Sequence, residues 1–221
     1  MGEEMKKLVL ISLLLVVALS AVNAQATYGI RLGGNVNKLD GDMKGIFITE
    51  TKDWFNKTEL GFNFGLFMNY PIDKYLLLQP EINYSQRGGR QEGDYEYWDD
   101  WDEVWDTDWD HIEIRLHYLE LPLYLKGAFS LGDFSFEPYM GPEFRYLIKG
   151  YLGEAETPDD ELITEESKTF NKFDPGFGVG LDLAFKDKYM LGVRYSKGFH
   201  EIELLSFLDT KSLQLNLGYR F

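Results

Sequence analysis

The sequence predicts an all-β fold: one eight-stranded antiparallel up-and-down β-barrel that spans a membrane. Three observations predict it. Apolar and polar residues alternate with period two along eight segments, the connections between segments are long and short in turn, and tyrosines gather near segment ends. Strands that show one face to lipid and the other to a lumen leave this signature.

The alternation is clearest toward the C-terminus. Phe173, Pro175, Phe177, Val179, Leu181, Leu183 and Phe185 share one face, against Asp174, Gly176, Gly178, Gly180, Asp182 and Ala184. The last segment sets Leu213, Leu215, Leu217, Tyr219 and Phe221 against Ser212, Gln214, Asn216, Gly218 and Arg220. Eight such segments cover 28–37, 59–70, 75–86, 112–126, 134–149, 173–186, 189–200 and 211–221. Most are close to the roughly 9–11 residues that a tilted strand needs to cross a bilayer. In the fourth, the apolar phase changes between Ile112-Ile114-Leu116 and Leu119-Leu121-Leu123-Leu125, so a bulge or bend is expected near His117.

Long connections at 38–58, 87–111 and 150–172 alternate with short ones at 71–74, 130–133 and 187–188, and 201–210 is of medium length. Tight turns at one end and longer loops at the other are the habit of outer-membrane barrels, and an even strand count puts both termini at the turn end. A soluble eight-stranded barrel would point its apolar residues inward. Here the polar face is rich in Gly and charge, while the other is a band of Leu, Phe and Val, so the expected arrangement is inside out. Tyr28, Tyr70, Tyr75, Tyr84, Tyr189, Tyr195, Tyr219 and Phe221 lie mostly near strand ends, where interfacial aromatics belong.

Residues 1–24 read as a cleavable signal peptide and 25–221 as the barrel domain. Met5 directly before Lys6 and Lys7 reads as the start, Leu8 to Val22 is apolar apart from Ser12 and Ser20, and Val22-Asn23-Ala24 offers cleavage after Ala24. The expected location is therefore the cell outer membrane. A net charge of −15 argues against nucleic acid as a partner. With no cysteine there is no disulfide, thiolate metal site or thiol nucleophile.

The chain resembles the outer-membrane β-barrel family common in Bacteroidota, the group that includes PorT-like proteins. The resemblance is carried by Tyr28-Gly29-Ile30-Arg31-Leu32-Gly33-Gly34-Asn35, by Tyr118-Leu119-Glu120-Leu121-Pro122-Leu123-Tyr124-Leu125-Lys126, by Pro138-Tyr139-Met140-Gly141-Pro142-Glu143 and by Leu217-Gly218-Tyr219-Arg220-Phe221. It implies a small outer-membrane barrel, and some members resemble components of a protein-secretion and gliding machinery. The last strand ending on Tyr219 and Phe221 resembles the signal read by the barrel-assembly machinery through strand addition.

Inside the barrel the alternation places Arg31, Glu81, Glu120, Lys126, Glu137, Glu143, Arg145, Asp182, Arg194 and Arg220. Eight strands leave a lumen just wide enough for side chains, so these charges are expected to pair as an ion network; the rival expectation is a small-solute pore. Residues 92–110 hold ten carboxylates, no Lys or Arg, and four of the five tryptophans: Trp98, Trp101, Trp105 and Trp109. Their spacing of three to four admits a helical turn or an aromatic ridge. The segment is expected to be a solvated acidic loop, and a candidate surface for an envelope protein or glycan with Asp102 and Asp106 among its carboxylates. A calcium site is the weaker alternative, since EF-hand spacing is missing. A hydrolase built on His111 or His200 with Asp110 and Ser206 is weaker still. The expectation is a structural or surface-interaction protein of the outer membrane with no catalysis, cofactor or metal. Its expected partners are lipid, the assembly machinery during insertion, and a surface ligand. An accessory role in a secretion or gliding apparatus is the alternative.

Overall fold

The computed structural model of the protein describes residues 26–40, 57–99, 104–155, 163–166, 172–199 and 209–221. The expected signal peptide with its cleavage point lies outside the described residues, as do Trp101, Asp102, His200 and Ser206. Ten strands follow in order: β1 (Thr27–Asp40), β2 (Glu59–Asp73), β3 (Leu76–Asp99), β4 (Val104–Gly127), β5 (Phe129–Leu131), β6 (Phe134–Ala155), β7 (Ile163–Glu166), β8 (Phe173–Phe185), β9 (Tyr189–Gly198) and β10 (Asp209–Arg220).

The eight long strands pair antiparallel in the order β4-β3-β2-β1-β10-β9-β8-β6, and β4 pairs with β6 to close the ring. β1 and β10 join the two ends of the chain, from Gly29 opposite Arg220 to Asp40 opposite Asp209. β5 and β7 are short additions against the two ends of β6. Closure has a physical cause. In lipid an unpaired backbone edge finds no water, so each spanning strand needs a neighbour on both sides.

At the turn end the chain reverses tightly. Leu131 pairs with Phe134 around Gly132, whose φ of +63° is the left-handed conformation that glycine adopts without a Cβ clash. Lys186 and Asp187 take the same region, at φ 52° and 55°, between the paired Phe185 and Tyr189. Thr27, where β1 begins, and Phe221 both lie at this end.

Polarity is inverted relative to a soluble core. On β10, Leu215 and Leu217 are 59% and 57% exposed, while Gln214 and Asn216 beside them are 1% exposed. The same alternation runs through Leu60, Phe62, Phe64 and Leu66 on β2 and through Leu191, Val193 and Tyr195 on β9, all exposed on the outer wall. An apolar outer wall around a polar interior is the arrangement that lipid stabilises.

Two expectations are corrected. Residues 87–111 are not a loop: β3 and β4 stay paired from Arg87 opposite Leu116 out to Asp99 opposite Val104. Tyr, Trp and Val along both halves favour strand, and lengthening an existing hairpin adds ladder bonds without closing a new loop. The three-to-four spacing of tryptophans is thus not helical; Trp98 and Trp105 sit directly opposite one another across the hairpin.

The bulge expected near His117 falls at that level but on the partner strand. His117 pairs with Lys149 and Tyr118 with Leu147, which leaves Ile148 of β6 as the inserted residue. Ile148 and Lys149 are consequently both exposed. β4 itself keeps one phase, with Ile114, Leu116, Tyr118, Glu120, Tyr124 and Lys126 all buried. Its apolar phase changes because the lumen becomes apolar toward the loop end.

Placing a cation on the middle of the outer wall should destabilise the barrel. Leu215→Arg is expected to cost about 2–4 kcal/mol, and Leu215→Ala distinctly less, as read by reversible denaturant unfolding in phospholipid vesicles.

Candidate functional site

The lumen is built by the inward-facing residues of all eight long strands. Arg31, Glu81, Glu120, Lys126, Glu137, Glu143, Arg145, Asp182, Arg194 and Arg220 are buried there, with Arg87 and Asp174 beside them. Six of these twelve groups are cationic and six are carboxylates, so the interior is matched in charge.

They form two linked clusters. Nearer the turn end, Glu137 takes Arg220 at 2.8 Å and Lys126 at 2.7 Å. Lys126 and Arg31 both reach Asp182 at 2.7 Å, and Arg194 grips Glu81 with its Nη2 at 2.8 and 2.7 Å from the two oxygens. Nearer the loop end, Arg145 bonds Glu143 at 2.8 Å and Asp174 at 2.9 Å, and Arg87 bonds Glu120 at 2.7 Å. Ser196 accepts from Arg87 and Arg145 and donates to Glu143.

Tyr124 couples the clusters. Its hydroxyl donates to Glu143, while the Arg194 guanidinium lies 4.7 Å from its ring centroid and the Tyr139 ring packs at 4.9 Å. Ions so deeply buried carry a large desolvation cost, which only a partnered geometry offsets. The arrangement is bracketed by apolar side chains. Phe67, Ala184 and Met190 cluster toward the turn end, and Leu39, Ile114, Leu116 and Leu147 are buried toward the loop end.

Sequence reasoning missed Arg87, because the third strand was ended at residue 86; extending Glu81, Asn83 and Ser85 by one more step of period two would have found it. Asp174 was placed on the polar face without being counted among the lumen charges. The pairing partner of each charge had no local signal at all, since Arg31 and Asp182 stand 151 residues apart.

At the loop end the hairpin positions are defined by backbone register. Glu92, Asp94, Glu96 and Trp98 stand opposite His111, Trp109, Thr107 and Trp105, and so fall on one face of the ribbon. Tyr95 and Tyr97, opposite Asp108 and Asp106, fall on the other. At the turn end Phe221 donates its backbone N–H to the Tyr28 carbonyl at 2.8 Å, and its ring packs edge-on against Tyr219 at 5.6 Å.

A closed antiparallel barrel with an apolar wall and a lumen of paired ions defines the class of outer-membrane β-barrel proteins. The chain belongs to the outer membrane protein beta-barrel domain family, whose sequence pattern matches residues 23–203.

Among solved structures the chain is similar to Ail, the attachment invasion locus protein of Yersinia pestis, at 12% identity over 89% of this chain and 99% of that one, with a TM-score of 0.42. It is similar to Neisserial surface protein A at 10% identity, 89% and 99% coverage and a TM-score of 0.48. It is also similar to OprG of Pseudomonas aeruginosa at 12% identity, 89% and 96% coverage and a TM-score of 0.40. No curated protein matches the chain.

Breaking one pair should be costly. Arg194→Met leaves Glu81 with Arg31, at 3.8 Å, as its remaining cation among the described residues, beside hydrogen bonds from Gln79 and Asn83, and is expected to destabilise by about 3–5 kcal/mol. Adding Glu81→Gln should recover part of that loss, measured by denaturant unfolding of both variants in the same lipid.

Proposed function

We propose that this protein is a non-conducting outer-membrane barrel that holds the β3–β4 hairpin above the cell surface as a binding element for an envelope or extracellular partner. One observation carries the reading. β3 and β4 are 24 residues each, whereas β9 crosses with 10. Crossing a bilayer takes roughly 9–11 residues, so more than half of the hairpin is surplus to spanning. At about 3.3 Å per residue the stretch beyond Arg90 adds roughly 30 Å.

The surplus is paired residue for residue, so it projects as a ribbon rather than a slack connection. Its sequence alternates carboxylates with Trp and Tyr, residue types that supply large, stiff contact area at interfaces. An acidic aromatic ribbon suits a cationic protein segment or a sugar ring. Short turns at the end carrying both termini support the opposite, hairpin end as the extracellular one. Within the wall, the matched lumen charges and the apolar residues bracketing them argue against a passage for solutes.

The Tyr118–Lys126 segment that underlies the PorT-like resemblance supplies Tyr118, Glu120, Tyr124 and Lys126 to the lumen. Its alternation is accounted for by barrel building, so an accessory role in a secretion or gliding apparatus rests on the resemblance alone. The ending at Tyr219 and Phe221 supports recognition by the assembly machinery during insertion.

Two measurements test the reading. The purified barrel in planar bilayers is expected to show no steady open-channel current; a stable unitary conductance would refute the closed lumen. Capture of envelope partners from intact cells is expected to fall to background when residues 91–110 are replaced by a short turn. Undiminished capture by the folded deletion variant would remove the hairpin from the function.

A further inference from the structure

Above the barrel wall the hairpin carries a strand edge that, among the described residues, has no neighbour. β4 stays paired with β6 as far as His111 opposite Ala155. There β6 ends, and the chain returns as β7, with Ile163 opposite Glu154 on the side of β6 away from β4. Among the described residues, 104–110 of β4 therefore pair with β3 on one side only.

An antiparallel pair uses the N–H and C=O of alternate residues, and those of the residues between point away from the partner strand. Every second residue of this stretch of β4 thus turns a donor and an acceptor toward the open side. Such an edge is a template for another strand. A two-stranded ribbon is also marginal by itself, and a third strand supplies it with a second ladder.

Register decides what that third strand would carry. Asp106, Asp108 and Asp110 occupy one face of β4, at positions opposite Tyr97, Tyr95 and Gly93. Trp105, Thr107 and Trp109 occupy the other face, opposite Trp98, Glu96 and Asp94. An added strand would meet a row of three aspartate positions on one face and two tryptophan positions flanking a threonine on the other. Opposite charges facing one another across strands stabilise a sheet, and like charges destabilise it. A second copy of β4 added antiparallel keeps each face continuous and sets aspartate against aspartate, so self-pairing is disfavoured. A strand that alternates Lys or Arg with apolar residues satisfies both faces at once.

We infer that the 104–110 edge of the hairpin takes up an extended segment of a partner protein by antiparallel strand addition, the segment alternating cationic and apolar side chains. Main-chain bonds to β4 supply affinity, and the alternating side chains supply the choice of partner. The inference rests on the reading of the hairpin as the binding element and narrows its partner to an extended peptide. A sugar ring stacked on the aromatic positions would leave the backbone edge unpaired.

The test titrates a labelled peptide alternating lysine with valine into the whole folded barrel in detergent micelles, followed by fluorescence anisotropy. Saturable binding is expected. A peptide of the same composition with its lysines in one block should bind about tenfold more weakly; equal binding of the two overturns the inference in favour of attraction by net charge. Two backbone-methylated versions of the alternating peptide, one on every lysine nitrogen and one on every valine nitrogen, test the edge itself on the unaltered barrel. A strand bonds one neighbour through alternate residues only, so one version should bind as the parent does and the other should lose binding. Equal behaviour of the two, whether strong or absent, overturns strand addition. Asp106→Asn/Asp108→Asn/Asp110→Asn should weaken the parent peptide about tenfold, and Glu92→Gln/Asp94→Asn/Glu96→Gln should leave it unchanged, with heat-modifiable electrophoretic mobility reporting that each variant is folded. The reverse order overturns the assignment to β4. Cellular capture that depends on residues 91–110 while the peptides fail to bind overturns strand addition and leaves the hairpin as the binding element.

Discussion

Charge matching inside a closed cylinder is the constraint on which the rest of this structure depends. Eight strands enclose only enough space for side chains, so a cation pointing inward meets an anion or remains unsolvated. Arg31, Arg87, Lys126, Arg145, Arg194 and Arg220 all find carboxylates there, contributed by β3, β4, β6 and β8. Arg31–Asp182, Arg194–Glu81 and Arg220–Glu137 tie together strands that are distant in sequence, and such pairs help select one register of closure. A slip of one residue would send every lumen charge into lipid and every leucine of the wall inward.

The wall follows from the same constraint seen from outside. Once the polar groups are committed to the axis, the apolar face has only lipid to meet, and closure of β1 onto β10 removes the last backbone edge. Ile148 shows how irregularity is tolerated. The inserted residue bends β6 beyond the ion clusters, where the lumen is already apolar and no buried charge has to change sides. β4 stays paired with β6 as far as His111 opposite Ala155, and beyond that β3 and β4 run on as a two-stranded ribbon. In the proposed reading the barrel supplies an ion-paired frame and the hairpin is the part that meets a partner. The family and the inverted polarity specify a lipid neighbour for the wall.

Much of this was legible before any coordinates. Period-two alternation decides which residues can face lipid, because neighbouring side chains on a strand leave opposite faces, and Leu215 beside Gln214 needed no tertiary information to be sorted. The turns at Gly132 and Asp187 and the identities of ten lumen charges could be read in the same way. Three things could not. The hairpin at 87–111 looked like a loop, because carboxylates lower local strand propensity and only continuation of an existing ladder makes the extension favourable. The bulge at Ile148 of β6 has no sequence signal of its own, because a change of apolar phase in β4 cannot reveal whether the strand slips or its surroundings change. The partners of Arg31, Arg87 and Arg194 depended on register between strands far apart in the chain. Local side-chain chemistry therefore determined the faces, the medium and the turn positions, and closure of the ring decided which charges meet, since only closure brings β1 and β3 within reach of β8 and β9 across the lumen.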